Sequence, residues 1–228
     1  MAEEKRVVII GGHGKVALLA APKFREAGYR VDSVIRNPDQ KADIEEHGAN
    51  PVLLDIETAV VGELAEVFRG ADAVVFSAGA GGGNPARTHA VDYEAAVRTM
   101  DAAEQAGVRR YVMVSYVTAD IDVDRLDEDA KMYPYAKAKH DADAHLRGSG
   151  LDYTILGPGM LTLEPATSRI RHVDREGQID GRDPGEGEGQ TSRENVAEVI
   201  VHAVAANAGV GEKINFYDGD TPIVDAIK

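Results

Sequence analysis

Six short apolar, β-branched runs, each followed by a stretch of helical character, decide what this chain can fold into. The runs are RVVIIG (6–11), YRVDSVI (29–35), PVLLD (51–55), DAVVFSAG (72–79), RRYVMVS (109–115) and DYTILGPG (152–159). Near-continuous apolar strands of this length are the mark of a sheet covered on both faces, which is the habit of parallel sheets. Between them lie KVALLAAPKFREAG (15–28), PDQKADIEEHG (38–48), AVVGELAEVFRG (59–70), a long stretch over about 85–106, and another from about 134 to 147. Gly28 is a good helix stop, Pro38 suits a first helical turn, and Pro22 predicts a kink. Parallel neighbours need crossover connections, and repeated right-handed crossovers wind helices onto both faces of one sheet. The sequence therefore predicts an α/β fold, a doubly wound parallel sheet whose ligands bind at the C-terminal ends of its strands.

The tail differs. GQIDGRDPGEGEGQTS (177–192) reads as a Gly-rich loop or short hairpin, RENVAEVIVHAVAA (193–206) as a helix, and KINFYDG (213–219) as a last strand. No internal repeat and no long linker divides the 228 residues, so one domain is expected over 1–228, with residues from about 160 forming a small appendage on the substrate side. No run of 18 uncharged apolar residues is present, so no membrane span is expected. The start, MAEEKRVVIIGG, does not read as a signal peptide, which points to the cytoplasm. The absence of Cys excludes disulfides, thiolate metal sites and Cys nucleophiles. A formal net charge of −14 repels phosphate backbones and argues against nucleic acid as a partner. An anionic ligand would need a local positive pocket. His140 and His145 are five apart, on different helical faces, and read as surface residues rather than metal ligands.

GGHGKVA (11–17) sits where the first strand turns into the first helix. Gly11 permits a tight turn, Gly14 lets backbone N–H groups approach a pyrophosphate, and Ala17 allows close helix–strand packing. The helix N-terminus adds partial positive charge. The loop residues Gly11, His13, Gly14, Lys15 and Val16 are thus candidates for holding a dinucleotide, with His13 either at the cofactor or capping the turn. Asp32 lies mid-strand, away from the ligand edge. At that edge stands IRNP, and the guanidinium of Arg36 suits a 2′-phosphate, so NADP is favoured over NAD.

MYPYAKAKH (132–140) contains two overlapping Tyr-x-x-x-Lys pairs. Pro134 disfavours helical geometry at Tyr133 but fits a first helical position itself. Tyr133 is therefore expected outside the helix, and Tyr135 with Lys139 inside it, one turn apart on one face. A free Tyr titrates near pH 10. A neighbouring ammonium favours the phenolate, so Lys139 is expected to lower the Tyr135 pKa.

These segments together resemble the short-chain dehydrogenase/reductase superfamily in its atypical branch, in particular small bacterial NAD(P)H-binding proteins labelled sugar epimerases or epimerase/dehydratases. The likeness runs nearly end to end: VIIGGHGKVA, VIRNP, AAEQAGVRRYVMVS, YAKAKHDADAHLRGSGLDYTILGPG, TSRENVAEVIVHAV and NFYDGDTPIVDAI. It implies a Rossmann fold and a role for each aligned position. Ser115 would orient a substrate carbonyl, Tyr135 would be the acid/base, and Lys139 would hold the nicotinamide ribose. Asp55 and Ile56 would lie by the adenine, and Ser77, Ala78 and Gly79 would flank the adenosine ribose. Pro158 and Gly159 would line the nicotinamide. Relatives commonly carry Arg before Pro-Gly; Gly157 here removes a charge and bears on substrate binding or local packing. Tyr116 follows the Ser in place of a second small residue.

The combined expectation is an NADP-dependent oxidoreductase acting on a small carbonyl or alcohol. Epimerase/dehydratase chemistry, flavin reduction and a non-catalytic NADP-binding sensor are the alternatives. The segment 117–132 is expected to be a flap over the site, with solvated acidic residues.

Overall fold

The computed structural model describes residues 4–81 and 83–228. The chain alternates β1 (Lys5–Ile10), α1 (Lys15–Glu26), β2 (Tyr29–Ile35), α2 (Lys41–Glu46), β3 (Asn50–Leu53), α3 (Val61–Phe68) and β4 (Ala73–Phe76). A short helix α4 (Pro85–Thr88) then passes through a π-helical turn (His89–Ala95) into α5 (Ala96–Ala106). There follow β5 (Arg110–Val114), α6 (Asp122–Arg125), α7 (Tyr133–Gly148), β6 (Asp152–Pro158), β7 (Met160–Thr162), β8 (Arg169–His172), β9 (Gln190–Ser192), α8 (Arg193–Ala205), β10 (Glu212–Asp218), β11 (Thr221–Pro222) and α9 (Ile223–Ala226).

The main sheet runs in the order β11-β8-β10-β6-β5-β4-β1-β2-β3. From β3 to β10 every pair is parallel, as the apolar strands predict. Only β8 turns antiparallel, against β10 on one side and β11 on the other. A second, two-stranded sheet pairs β7 with β9. Because side chains alternate along a strand, β1 feeds two cores. Val7 and Ile9 pack with Phe24 of α1 and with Val196 and Ile200 of α8. Val8 and Ile10 pack with Phe68 of α3, Met100 of α5 and Leu146 of α7. The far end of the sheet is pinned by Arg110, whose guanidinium donates to the Asp152, Ala203 and Ala208 carbonyls and to Thr154 Oγ1 at 2.7–2.9 Å. Burial pulls that guanidinium down to about 10.

Two expectations change. Helix α7 starts at Tyr133 rather than beyond it, with Met132 as its N-cap and Pro134 in the first turn. Proline discourages helical geometry before it without forbidding it, and a first-turn residue has no intrahelical N–H bond to lose. The segment 117–132 is tied down by two of its acids: Asp120 accepts from Arg147 at 2.5 Å and pairs with Lys213 at 3.3 Å, and Asp122 accepts from Thr118 and Tyr116. Helix α1 is continuous through Pro22, as the sequence places it.

Gly157 has a packing cause. It lies in β6 opposite Asn215 of β10, and a Cβ there would run into Asn215 Oδ1 and stand 3.3 Å from the Tyr116 carbonyl. A side chain at this position would have to displace Asn215. Gly157→Arg should therefore cost about 3 kcal/mol through overpacking, a fall of roughly 10 °C in thermal unfolding for a domain of this size. Adding Asn215→Gly should restore part of that loss.

Candidate functional site

The loop after β1 is shaped by close approaches that only glycine allows. Gly11 has φ +79°, and a Cβ there would stand 2.6 Å from Ala78 Cα. A Cβ on Gly12 would stand 2.5 Å from Ser33 Cβ. The Gly14 N–H donates to the Gly11 carbonyl at 2.8 Å, and Gly14 then caps α1. That helix has no side-chain cap and no acid in its first turn, so its leading N–H groups remain available to an anion. The loop fits a pyrophosphate: small, backbone-rich and positive.

Two cavities open along the C-terminal ends of β1, β4 and β5, sharing Gly14, Ser77, Ala78, Gly79 and Ala80 as a common wall. The first, about 240 Å³, is lined by Gly11, His13, Arg36, Asp55 and Ile56 among others. His13 does not stand free. Its Nε2 is 2.6 Å from Asp43 Oδ2, which ties the glycine loop to α2. Arg36 donates to Glu57 Oε1 at 2.6 Å, and Arg87 of α4 donates to the same oxygen at 2.9 Å. An acid thus stands at this edge after all, supplied by the next βα connection rather than by β2. Asp32, by contrast, sits mid-strand, away from this edge, and is taken by Arg6 and Asn50.

The second cavity, about 650 Å³, is lined by Lys15, Val16, Ser115, Tyr135 and Lys139, and also by Asp92, Lys131, Met132, Leu161 and Arg193. Lys139 is buried. Its ammonium donates to the Val114 carbonyl at 3.0 Å and lies 3.3 Å from Asp92 Oδ1. The π-helical turn carries Asp92 to this position, and its other oxygen accepts from the Ala80 N–H at 3.0 Å. Burial pulls the ammonium down, but the charges of Tyr135, Asp92 and Asp143 outweigh it, and the Lys139 pKa is raised. Lys139 is a fixed positive charge.

Tyr135 behaves differently from expectation. Lys139, 5.9 Å from the ring centroid, does favour the phenolate, but burial opposes it more strongly and the pKa is raised. Asp92 and Asp143 push in the same direction as burial. The ring is also packed against Tyr116, with centroids 5.3 Å apart. The competing pair stays outside the cavity: neither Tyr133 nor Lys137 lines it, and Lys137 is exposed and bonded to Asp141 at 2.8 Å. Ser115 Oγ donates to Asp143 Oδ2 at 2.8 Å, and the fully buried Asp143 also meets Lys213 at 3.2 Å. Burial raises the Asp143 pKa.

The structure therefore gathers Gly11, His13, Gly14, Lys15, Val16, Arg36, Asp55, Ile56, Ser77, Ala78, Gly79, Ser115, Tyr135 and Lys139 around two adjoining cavities. Pro158 and Gly159 do not line either cavity. Pro158 is buried, and Gly159 donates to Phe216 O and Thr191 Oγ1, with Tyr217 beside it. Gly12, Glu57, Arg87, Asp92, Asp143 and Arg193 were not read from the sequence. Only Gly12, inside the glycine run, left a signal there.

Residues 11–207 match the model of a family described as NAD(P)H-binding. An uncharacterized sugar epimerase, YhfK of Bacillus subtilis (strain 168), is 32% identical over 98% of this chain and 99% of its own. A Bacillus halodurans protein carrying the provisional name NAD-dependent epimerase/dehydratase is 31% identical, with a TM-score of 0.83 over 96% of this chain and 97% of its own. The Lactococcus lactis oxidoreductase ylbE is 26% identical, with a TM-score of 0.81 over 97% and 94%. With its Rossmann sheet and glycine loop, the chain belongs to the NAD(P)H-binding family.

Proposed function

We propose that the protein is an NADP-dependent oxidoreductase acting on a small carbonyl or alcohol. The observation that carries this reading is the pair of adjoining cavities, one bearing Arg36 and the other a half-buried Tyr135 beside the buried charge of Lys139. The glycine loop and the start of α1 hold the pyrophosphate, Asp55 and Ile56 the adenine side, and Ser77, Ala78 and Gly79 the ribose. A nicotinamide bound at the Tyr135 end supplies a hydride from its C4. Tyr135 is the proton donor: its O–H bond breaks, the proton goes to the carbonyl oxygen, and Lys139 stabilises the phenolate left behind. Ser115, held in place by its hydrogen bond to Asp143, steadies the carbonyl.

The relatives' names favour epimerase or dehydratase chemistry as the second reading. It uses the same residues and differs in consuming no net NADPH, which a cofactor-absorbance assay distinguishes.

For the 2′-phosphate, Arg36 and Arg87 converge on Glu57, so a phosphate competes with that carboxylate for two guanidiniums. Arg36→Asp should weaken NADP about 10- to 100-fold, since charged hydrogen bonds are worth about 1.5–3 kcal/mol, and leave NAD nearly unchanged. Glu57→Ala should tighten NADP. Fluorescence titration of the two cofactors reads both effects, and equal changes for NADP and NAD would remove the 2′-phosphate role.

Tyr135→Phe should lower carbonyl reduction by about 10²–10⁴-fold with little change in NADPH affinity, whereas Tyr133→Phe should be nearly silent. Full activity in Tyr135→Phe would indicate hydride delivery alone, as in flavin reduction.

The raised Tyr135 pKa gives a direction in pH. The phenol is protonated throughout the neutral range, so reduction should show no Tyr limb between about pH 6 and 9. Alcohol oxidation needs the phenolate and should rise about tenfold per pH unit through that window. A flat oxidation profile would remove Tyr135 as the base.

A further inference from the structure

Most lysines and arginines of this acidic chain stand within 4.0 Å of a carboxylate. Among the described residues Lys5, Lys15, Lys41, Lys131, Arg110, Arg169, Arg175 and Arg193 have no such partner, and three of these, Lys15, Lys131 and Arg193, line the second cavity. The acid that shares that wall, Asp92, is already spent on Lys139. Lys15 follows the glycine loop and belongs with the cofactor phosphates, which leaves two cations for something else.

Lys131 comes from the segment before α7, four residues ahead of Tyr135, and Arg193 from the first turn of α8. Arg193 Nη1 donates to the Leu161 and Thr162 carbonyls at 3.0 and 2.8 Å. That anchors the guanidinium on β7, while its Nε and Nη2 make no hydrogen bond among the described residues. A guanidinium held by one nitrogen presents its remaining N–H groups in a fixed plane, the geometry that receives a carboxylate. The same cavity takes Met132 and Leu161 in its wall, and Met132 is 52% exposed. Solvent-facing apolar side chains at a cavity mouth mark a surface that an apolar ligand covers.

We propose that the substrate is a carboxylate-bearing carbonyl compound with an apolar body, its anion received by Lys131 and Arg193 and its body lying against Met132 and Leu161. This rests on the oxidoreductase reading for the reaction and on the cavity alone for the anion. In a chain of net charge −14, two unneutralised cations beside a proton donor select an anion against the field of the rest of the surface.

The test separates binding from turnover. Full-length protein loaded with NADP is titrated calorimetrically with naphthoate and with neutral naphthalenemethanol, at low and at high salt. Carboxybenzaldehyde and its methyl ester are assayed as substrates with NADPH. Naphthoate should bind about tenfold or more tightly than the alcohol, with the preference shrinking at high salt. Lys131→Gln and Arg193→Gln should each remove most of that preference, with Arg193→Lys retaining part of it. Lys131→Gln is the decisive variant, because Arg193 also supports β7. Equal affinity for acid and alcohol, or a preference that survives both Gln variants, would overturn the proposal. If charge-dependent binding holds and neither aldehyde is reduced, the anion site stands and the oxidoreductase reading fails. If both aldehydes are reduced alike and binding ignores charge, the reverse is true.

Discussion

The site depends on one buried ammonium. Placing a Lys charge out of water is costly unless it is paired and hydrogen-bonded. Lys139 is accommodated because Asp92 and the Val114 carbonyl meet it, at 3.3 and 3.0 Å. Each partner needs its own support. Val114 ends β5, a central strand, and Asp92 arrives only because the helix after β4 widens into a π-turn. The second carboxylate oxygen of Asp92 then fastens the backbone at Ala80, on the wall shared by both cavities. One ion pair thus joins the Tyr135 side of the second cavity to the loop it shares with the first.

The parts of this arrangement legible in the sequence are those written in local pattern. Apolar strands, the glycine loop and the i,i+4 spacing of Tyr135 and Lys139 each follow from neighbours in the chain, and the structure has the strands within three residues of the expected bounds. What the sequence hid is long-range pairing. Glu57 meets Arg36 and Arg87 from 21 and 30 residues away. Asp143 reaches Lys213 across 70. The direction of the Tyr135 shift was misread for a related reason. The helix shows the ammonium one turn away, but burial beneath the neighbouring elements comes from tertiary packing and outweighs it. The strands β7, β8 and β11 are two to four residues long and carry little periodicity to read.

The charge layout follows the same logic at a larger scale. Acidic residues outnumber basic ones, yet acids in 117–132 are used internally, with Asp120 bridging Arg147 and Lys213. Those ties give the segment before α7 a defined course, so Lys131 and Met132 arrive at the cavity from a positioned stretch of chain rather than a loose flap.

The two margins of the main sheet have a consequence of their own. The outermost strands, β3 and β11, are four and two residues long, and each contains a proline, Pro51 and Pro222. A proline offers no N–H to an incoming strand, and so short a border gives a second chain little to register against. Growth of the sheet by strand addition from another molecule is blocked at both ends. That leaves the protein free to keep a wide, strongly apolar parallel sheet without that sheet becoming a template for aggregation.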